Sequence, residues 1–162
     1  MKWIQKAFWC FILVWGLQAS TAQARRSAEP GYGGGPFGIG VELGYPGDWG
    51  IVGKLWLSPV DALQPDIKFT GGQSILQLDC LWHSFRTLHL RSGSLPFYIG
   101  MGGDLSLTDP AEFGLRVPLG LSYIFGRRTP RDIYAQIVPT FWITSGSSPL
   151  HLYGNTVIRF YS

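Results

Sequence analysis

The sequence predicts an all-β fold: an eight-stranded antiparallel up-and-down transmembrane β-barrel. Three observations predict it. Apolar residues alternate with polar or small ones at period two through most of the 162 residues, which is the pattern of strands. Turn-forming clusters divide the alternating stretches into eight. The bulky apolar faces oppose faces rich in glycine with isolated charges, an arrangement that suits lipid outside and a narrow polar lumen within.

Composition narrows the field first. Charged residues make up 14% of the chain, against roughly 25% in soluble globular proteins. Aromatic residues make up 15%, and 22 residues are glycine. That much apolar and aromatic surface with so little net charge excludes disorder. A polytopic helical membrane protein is excluded because no segment after the leader has the roughly 20 consecutive apolar residues of a spanning helix.

Residues 1–24 read as a secretory signal peptide. Lys2 and Lys6 form a basic start, residues 7–17 an apolar core, and Ala22 and Ala24 flank Gln23 in a small-x-small cleavage site. Cys10 lies inside this leader, between Phe8-Trp9 and Phe11, without the small residues that precede a lipidated cysteine. Cleavage after Ala24 leaves 11 basic residues against 10 acidic ones, which is no nucleic-acid footprint. Arg127, Arg128 and Arg131 cluster, but within a polar turn. Cys80 is the one cysteine left, so no internal disulfide is available. Residues 25–35 are polar and then Gly-rich, a flexible lead-in, and residues 36–162 form the barrel.

The strands follow in order. Phe37, Ile39, Val41 and Leu43 oppose Gly38, Gly40, Glu42 and Gly44. Ile51, Gly53, Leu55 and Leu57 oppose Val52, Lys54 and Trp56. Leu63, Pro65, Ile67 and Phe69 oppose Gln64, Asp66 and Lys68. Leu76, Leu78, Cys80 and Trp82 oppose Gln77, Asp79, Leu81 and His83. Phe97, Ile99, Met101, Leu105 and Leu107 oppose Tyr98, Gly100, Gly102, Asp104 and Ser106. The longest run sets Phe113, Leu115, Val117, Leu119, Leu121, Tyr123 and Phe125 against Gly114, Arg116, Pro118, Gly120 and Ser122. Ile133, Ala135 and Ile137 oppose Tyr134, Gln136 and Val138, and Thr156, Ile158 and Phe160 oppose Val157, Arg159 and Tyr161. Pro118 removes a ladder donor in mid-strand, which predicts a bulge or a local gap facing the lumen. Pro65 and Pro139 raise the same question in their own strands. Trp49, Trp82, Tyr123, Phe141 and Trp142 suit aromatic girdles at the two interfaces, whereas Trp56 points inward.

A soluble barrel would put its bulky residues inside and its charges outside; a small membrane barrel reverses this. The charges on the small-residue face are Lys54, Lys68, Arg116 and Arg159 against Glu42, Asp66, Asp79 and Asp104. Four of each sign fit a closed polar interior, where charges need partners. These eight are the candidate lumen network.

The chain resembles the small eight-stranded outer-membrane β-barrels of Gram-negative bacteria. More narrowly, it is similar to a poorly characterised group of such barrels in proteobacterial and spirochaete lineages. The residues that carry the likeness are Gly40-Val-Glu-Leu-Gly-Tyr-Pro46, Gly53-Lys-Leu-Trp-Leu57, Leu95-Pro-Phe-Tyr-Ile-Gly100 with Gly102-Gly103, Phe113-Gly-Leu-Arg-Val-Pro-Leu-Gly-Leu-Ser-Tyr123 and Ile158-Arg-Phe-Tyr161. The resemblance implies an integral outer-membrane protein without established chemistry. Such barrels usually end in an aromatic residue read by the insertion machinery; this chain ends Phe160-Tyr161-Ser162.

Some small outer-membrane barrels modify lipids, so catalysis has to be weighed. The histidines are His83, His89 and His151. Adjacent side chains on a strand face opposite ways, so His83 cannot pair with Ser84. His89 falls in the connection between Arg86 and Arg91. His151 with Ser147 or Ser148 is the least implausible dyad. No G-x-S-x-G elbow, no metal-ligand spacing and no phosphate loop is present. The sequence therefore predicts a non-enzymatic outer-membrane barrel, with a structural or loop-mediated binding role and no cofactor, catalytic residue or metal. Its partners would be outer-membrane lipid, the insertion machinery and an extracellular partner met through the loops, but not nucleic acid. The alternatives are a soluble periplasmic lipocalin-like binder of a small apolar ligand and an outer-membrane lipid-modifying enzyme.

Overall fold

Gly71 and Gly72 take φ of 54° and 82°, the left-handed pair that a two-residue hairpin needs to match strand twist. Thr70 and Gln73 pair directly across them. A Cβ would meet nothing at either glycine, so a substitution there acts through backbone strain alone. Gly72→Val is expected to lower barrel stability by about 1–2 kcal/mol, read as a shift in urea unfolding followed by tryptophan fluorescence.

The computed structural model describes residues 36–45, 47–85, 89–90, 93–125, 131–143 and 150–162. The proposed cleavage residues Ala22 and Ala24, and Ser147 and Ser148, lie outside them. The strands are β1 (Phe37–Tyr45), β2 (Trp49–Trp56), β3 (Asp61–Thr70), β4 (Gln73–Ser84), β5 (His89–Leu90), β6 (Gly93–Ser94), β7 (Phe97–Ser106), β8 (Glu112–Arg116), β9 (Leu119–Phe125), β10 (Arg131–Trp142) and β11 (Leu150–Tyr161). Strands β8 and β9 are two halves of one stave, because both pair with β7 and with β10. The short β5–β6 hairpin joins the sheet only through Gly93 and Ser94 on β9. Eight staves remain. Each is antiparallel to the next, and β11 returns to β1 from Gly38↔Tyr161 to Tyr45↔Gly154, closing the sheet. Closure leaves none of the eight staves at an edge of the sheet; among the described residues β5 pairs with β6 alone.

The stave containing Pro118 has a gap and no bulge. Gly102 faces Arg116 and Ile99 faces Leu119 on one side, and Thr140 faces Arg116 and Ile137 faces Leu119 on the other. The count is the same above and below the break, so no residue is inserted. The gap is partly stitched: Gly100 N donates to Pro118 O at 2.8 Å, and Val117 N donates to Pro139 O at 3.0 Å. Strands β3 and β10 continue through Pro65 and Pro139, but the β2–β3 ladder lapses at Pro65 and Gln64, between Val52↔Asp66 and Leu55↔Leu63, with the register unchanged.

One end of the barrel carries Phe37 and Tyr161 and is called the terminal end; the opposite rim, with residues 47–48, 71–72, 107–111 and 143, is the far end. Outward and inward residues alternate around the whole wall. Met101, Leu115 and Ile137 are 54%, 52% and 55% exposed, while Val52, Leu81, Tyr98 and Val157 are buried. Among the described strands, every outward-facing residue is uncharged except Asp61 and Arg131, each the first residue of its strand at the terminal end. Outward aromatics gather near both rims: Tyr45, Trp49, Phe69, Phe113 and Phe141 at the far end, and Phe37, Trp82, Phe97, Tyr123, Phe125 and Phe160 at the terminal end. Trp49 packs on Phe69 with ring centroids 4.6 Å apart. Trp142 is not part of either girdle. It continues the inward series of β10 and is buried.

Candidate functional site: the polar lumen

Glycine makes room for the interior. A Cβ on Gly120 would come within 2.5 Å of the Tyr98 ring, and one on Gly102 would overlap the Asp79 carboxylate and the Leu78 carbonyl. The lumen therefore exchanges wall side chains for large polar ones that lie across it. Four layers result.

At the terminal end Trp56, Ala62, Ile124 and Tyr161 pack into an apolar cluster, with Phe85 against it. Above it lies a basic layer. Arg159 Nε donates to Asp132 Oδ1 at 3.1 Å, and its other nitrogens reach Asp132 Oδ2 at 3.3 Å and Gln64 Oε1 at 3.1 Å. Tyr161 and Ser122 also donate to Asp132, at 2.8 and 3.4 Å. Lys54 Nζ sits 2.8 Å from His83 Nε2 and 4.3 Å from the centre of the Trp56 ring. The other ring nitrogen of His83 is 3.2 Å from the carbonyl of Val60. A carbonyl only accepts, so Nδ1 carries the proton and Nε2 accepts from Lys54. The middle of the lumen holds Val52, Leu81, Tyr98, Tyr134 and Val157. Tyr98 donates to Gln136 at 2.8 Å and meets Tyr134 edge-on.

The far half is acidic. Arg116 bridges two carboxylates, Asp104 at 2.9 Å and Asp79 at 3.2 Å. Thr140 donates to Asp104 at 3.5 Å. Lys68 pairs with Glu42 at 3.0 Å, and Asn155 donates to the same Glu42 oxygen. Asp66 lies against Glu42, a second carboxylate. Ion pairs of this kind stabilise only when each member is matched, because the interior gives no water in compensation.

All eight residues of the candidate network, Glu42, Lys54, Asp66, Lys68, Asp79, Asp104, Arg116 and Arg159, are buried in the lumen. The structure brings them into two groups instead of one. It adds Asp132, fully buried and the most heavily bonded acid of all. Asp48 is buried as well, beside Gly44 at the far end, so the acids number six against four cations among the described residues, and the equal count read from the sequence does not hold. Lys54 has a histidine for its partner in place of a carboxylate. The signal for Asp132 was available, since it shares the parity of Tyr134, Gln136 and Val138; starting the strand at Ile133 leaves it out.

Catalytic chemistry finds little to work with. His83 commits both ring nitrogens to Lys54 and Val60. His151 is exposed on β11 and stacks on Tyr153. Among the described residues, no group of three His, Cys, Asp or Glu side chains could hold a metal ion directly.

No family model matches the chain, and no curated protein matches it. A solved structure does. The N-terminal β-barrel domain of Pseudomonas aeruginosa OprF superposes with a TM-score of 0.59 at 12% identity, covering 76% of this chain and 93% of that one. The closed eight-stranded antiparallel barrel is thus a fold shared with that domain.

Proposed function

We propose that the chain is an integral β-barrel of a Gram-negative outer membrane with a non-enzymatic, structural role. One observation carries this reading: a closed wall whose described outward side chains are uncharged, apart from Asp61 and Arg131 at one rim, around an interior that holds six carboxyl groups, two lysines, two arginines and a histidine. A soluble barrel needs the reverse. Lipid tails cannot satisfy backbone groups or charges, so closure and internal charge are both what a bilayer demands. The paired aromatic girdles fit the two interfaces. The fold shared with the OprF domain supports the reading, as does the leader expected over residues 1–24.

The far-end connections favour structure over recognition. The connections that follow β1, β3 and β7 are three, two and five residues long, leaving little chain for a receptor built from these loops. The proposed partners are therefore outer-membrane lipid along the wall and the insertion machinery, to which β11 would offer outward-facing Phe160. A lipocalin-like binder would need an apolar cavity, and this lumen is charged and crossed by side chains.

Fractionation tests the reading. The protein is expected in the detergent-extracted membrane fraction, starting at Arg25 by mass spectrometry. Its unheated band should migrate differently from its boiled band. Recovery in the osmotic-shock supernatant, with one mobility before and after boiling, would refute it.

A further inference from the structure

The two charged groups of the lumen do not carry the same sign. The terminal-end group sets Lys54 and Arg159 against Asp132, a formal charge of +1. The far group sets Lys68 and Arg116 against Glu42, Asp48, Asp66, Asp79 and Asp104, a formal charge of −3. The polar atoms that lack a hydrogen-bond partner divide the same way. In the far half they are acceptors, Glu42 Oε2, both oxygens of Asp66, Asp79 Oδ2, Gln77 Oε1 and Asn155 Oδ1, apart from Arg116 Nε and Asp79 Oδ1, which face each other as an ion pair at 3.2 Å. The donors without a partner, Gln64 Nε2, Gln136 Nε2 and the Tyr134 hydroxyl, lie in the middle and the terminal half. Asp66 is the sharpest case. It is 4% exposed, no nitrogen or hydroxyl reaches either oxygen, and its hydrogen-bonding neighbour is Glu42, another carboxyl group.

Water can donate to orphan oxygens, but it cannot cancel an excess of buried acids over bases. Hard oxygen donors in this number suit a hard cation. We propose that the far half of the lumen binds a small inorganic cation, admitted from the far mouth, between Asp66, Glu42, Gln77, Asp79 and Asn155. No three acids converge closely enough to ligate an ion directly among the described residues, so the ion keeps part of its water shell and the side chains bind those waters. The inference rests on the charge and burial of the lumen and stands apart from the cellular location.

The test uses the full chain folded in detergent micelles and stripped with a chelator. Thermal unfolding is followed by tryptophan fluorescence against added MgCl2, CaCl2 or NaCl at matched ionic strength. A saturable rise in Tm is expected with one of these salts, roughly 5–10 °C at saturation. Asp66→Asn should flatten that titration while unfolding, without the ion, at or above the Tm of the stripped wild type. Asp109→Asn, which alters an exposed far-rim acid, should leave the titration intact. An equal Tm in all salts, or an undiminished titration in Asp66→Asn, would overturn the proposal. So would a Tm that rises on acidification and ignores every cation, since protons would then supply the missing charge.

Discussion

Arg116→Leu is expected to destabilise the barrel by about 3–5 kcal/mol. The guanidinium is buried and holds two carboxylates, Asp79 and Asp104, at 3.2 and 2.9 Å. Removing it leaves both acids without a cation in a region that already has more acids than bases. The triple change Arg116→Leu, Asp79→Asn and Asp104→Asn should recover most of the loss, because the penalty comes from stranding charges and less from losing the pair itself. Arg116→Lys should fall between, as one ammonium cannot present the fork that serves two carboxylates. Urea unfolding of the folded protein in micelles measures all three. A single leucine variant as stable as the wild type would mean that the arginine does not compensate those acids.

Met101→Arg is expected to cost about 2–4 kcal/mol in a lipid bilayer. Met101 lies midway along β7, faces outward beside Cys80 on β4, and is 54% exposed. In a water-soluble barrel this exposed position would tolerate arginine to within about 0.5 kcal/mol. Phe37→Arg, at the terminal rim, should cost about 0–1 kcal/mol in the same bilayer. The depth dependence is the decisive readout. Equal, small effects at both positions would remove the acyl chains from the explanation.

Much of this architecture was legible because a strand has only two faces. Once the bulky series Phe113, Leu115, Leu121 is set outward, Arg116 and Ser122 must point in, and one assignment propagates along each stave. Volume supplied the sign: glycine opposite leucine means a tight interior and a loose exterior. Residue type misled where it was used in place of parity. Trp142 looks like an interfacial tryptophan, yet it belongs with Asp132, Tyr134, Gln136, Val138 and Thr140 on the inner face. Pro118 announced a disruption, but whether the register would shift across it depended on its neighbours on β7 and β10.

Partner choice inside the lumen was not legible. It depends on how far neighbouring staves are staggered as the sheet closes, a property of the whole cylinder. Arg159 reaches Gln64 across 95 positions of sequence, and Asn155 reaches Glu42 across 113. No local pattern encodes such pairs. Nor could alternation show that Lys54 would rest on His83 and Trp56, or that the acids would outnumber the bases in one half.

The cluster of Trp56, Ala62, Ile124 and Tyr161 gives the molecule a floor. With the charged side chains of the lumen above it, that floor leaves no wide water-filled passage among the described residues. In a planar bilayer between two electrolyte baths, the expected result is the absence of porin-like conductance steps.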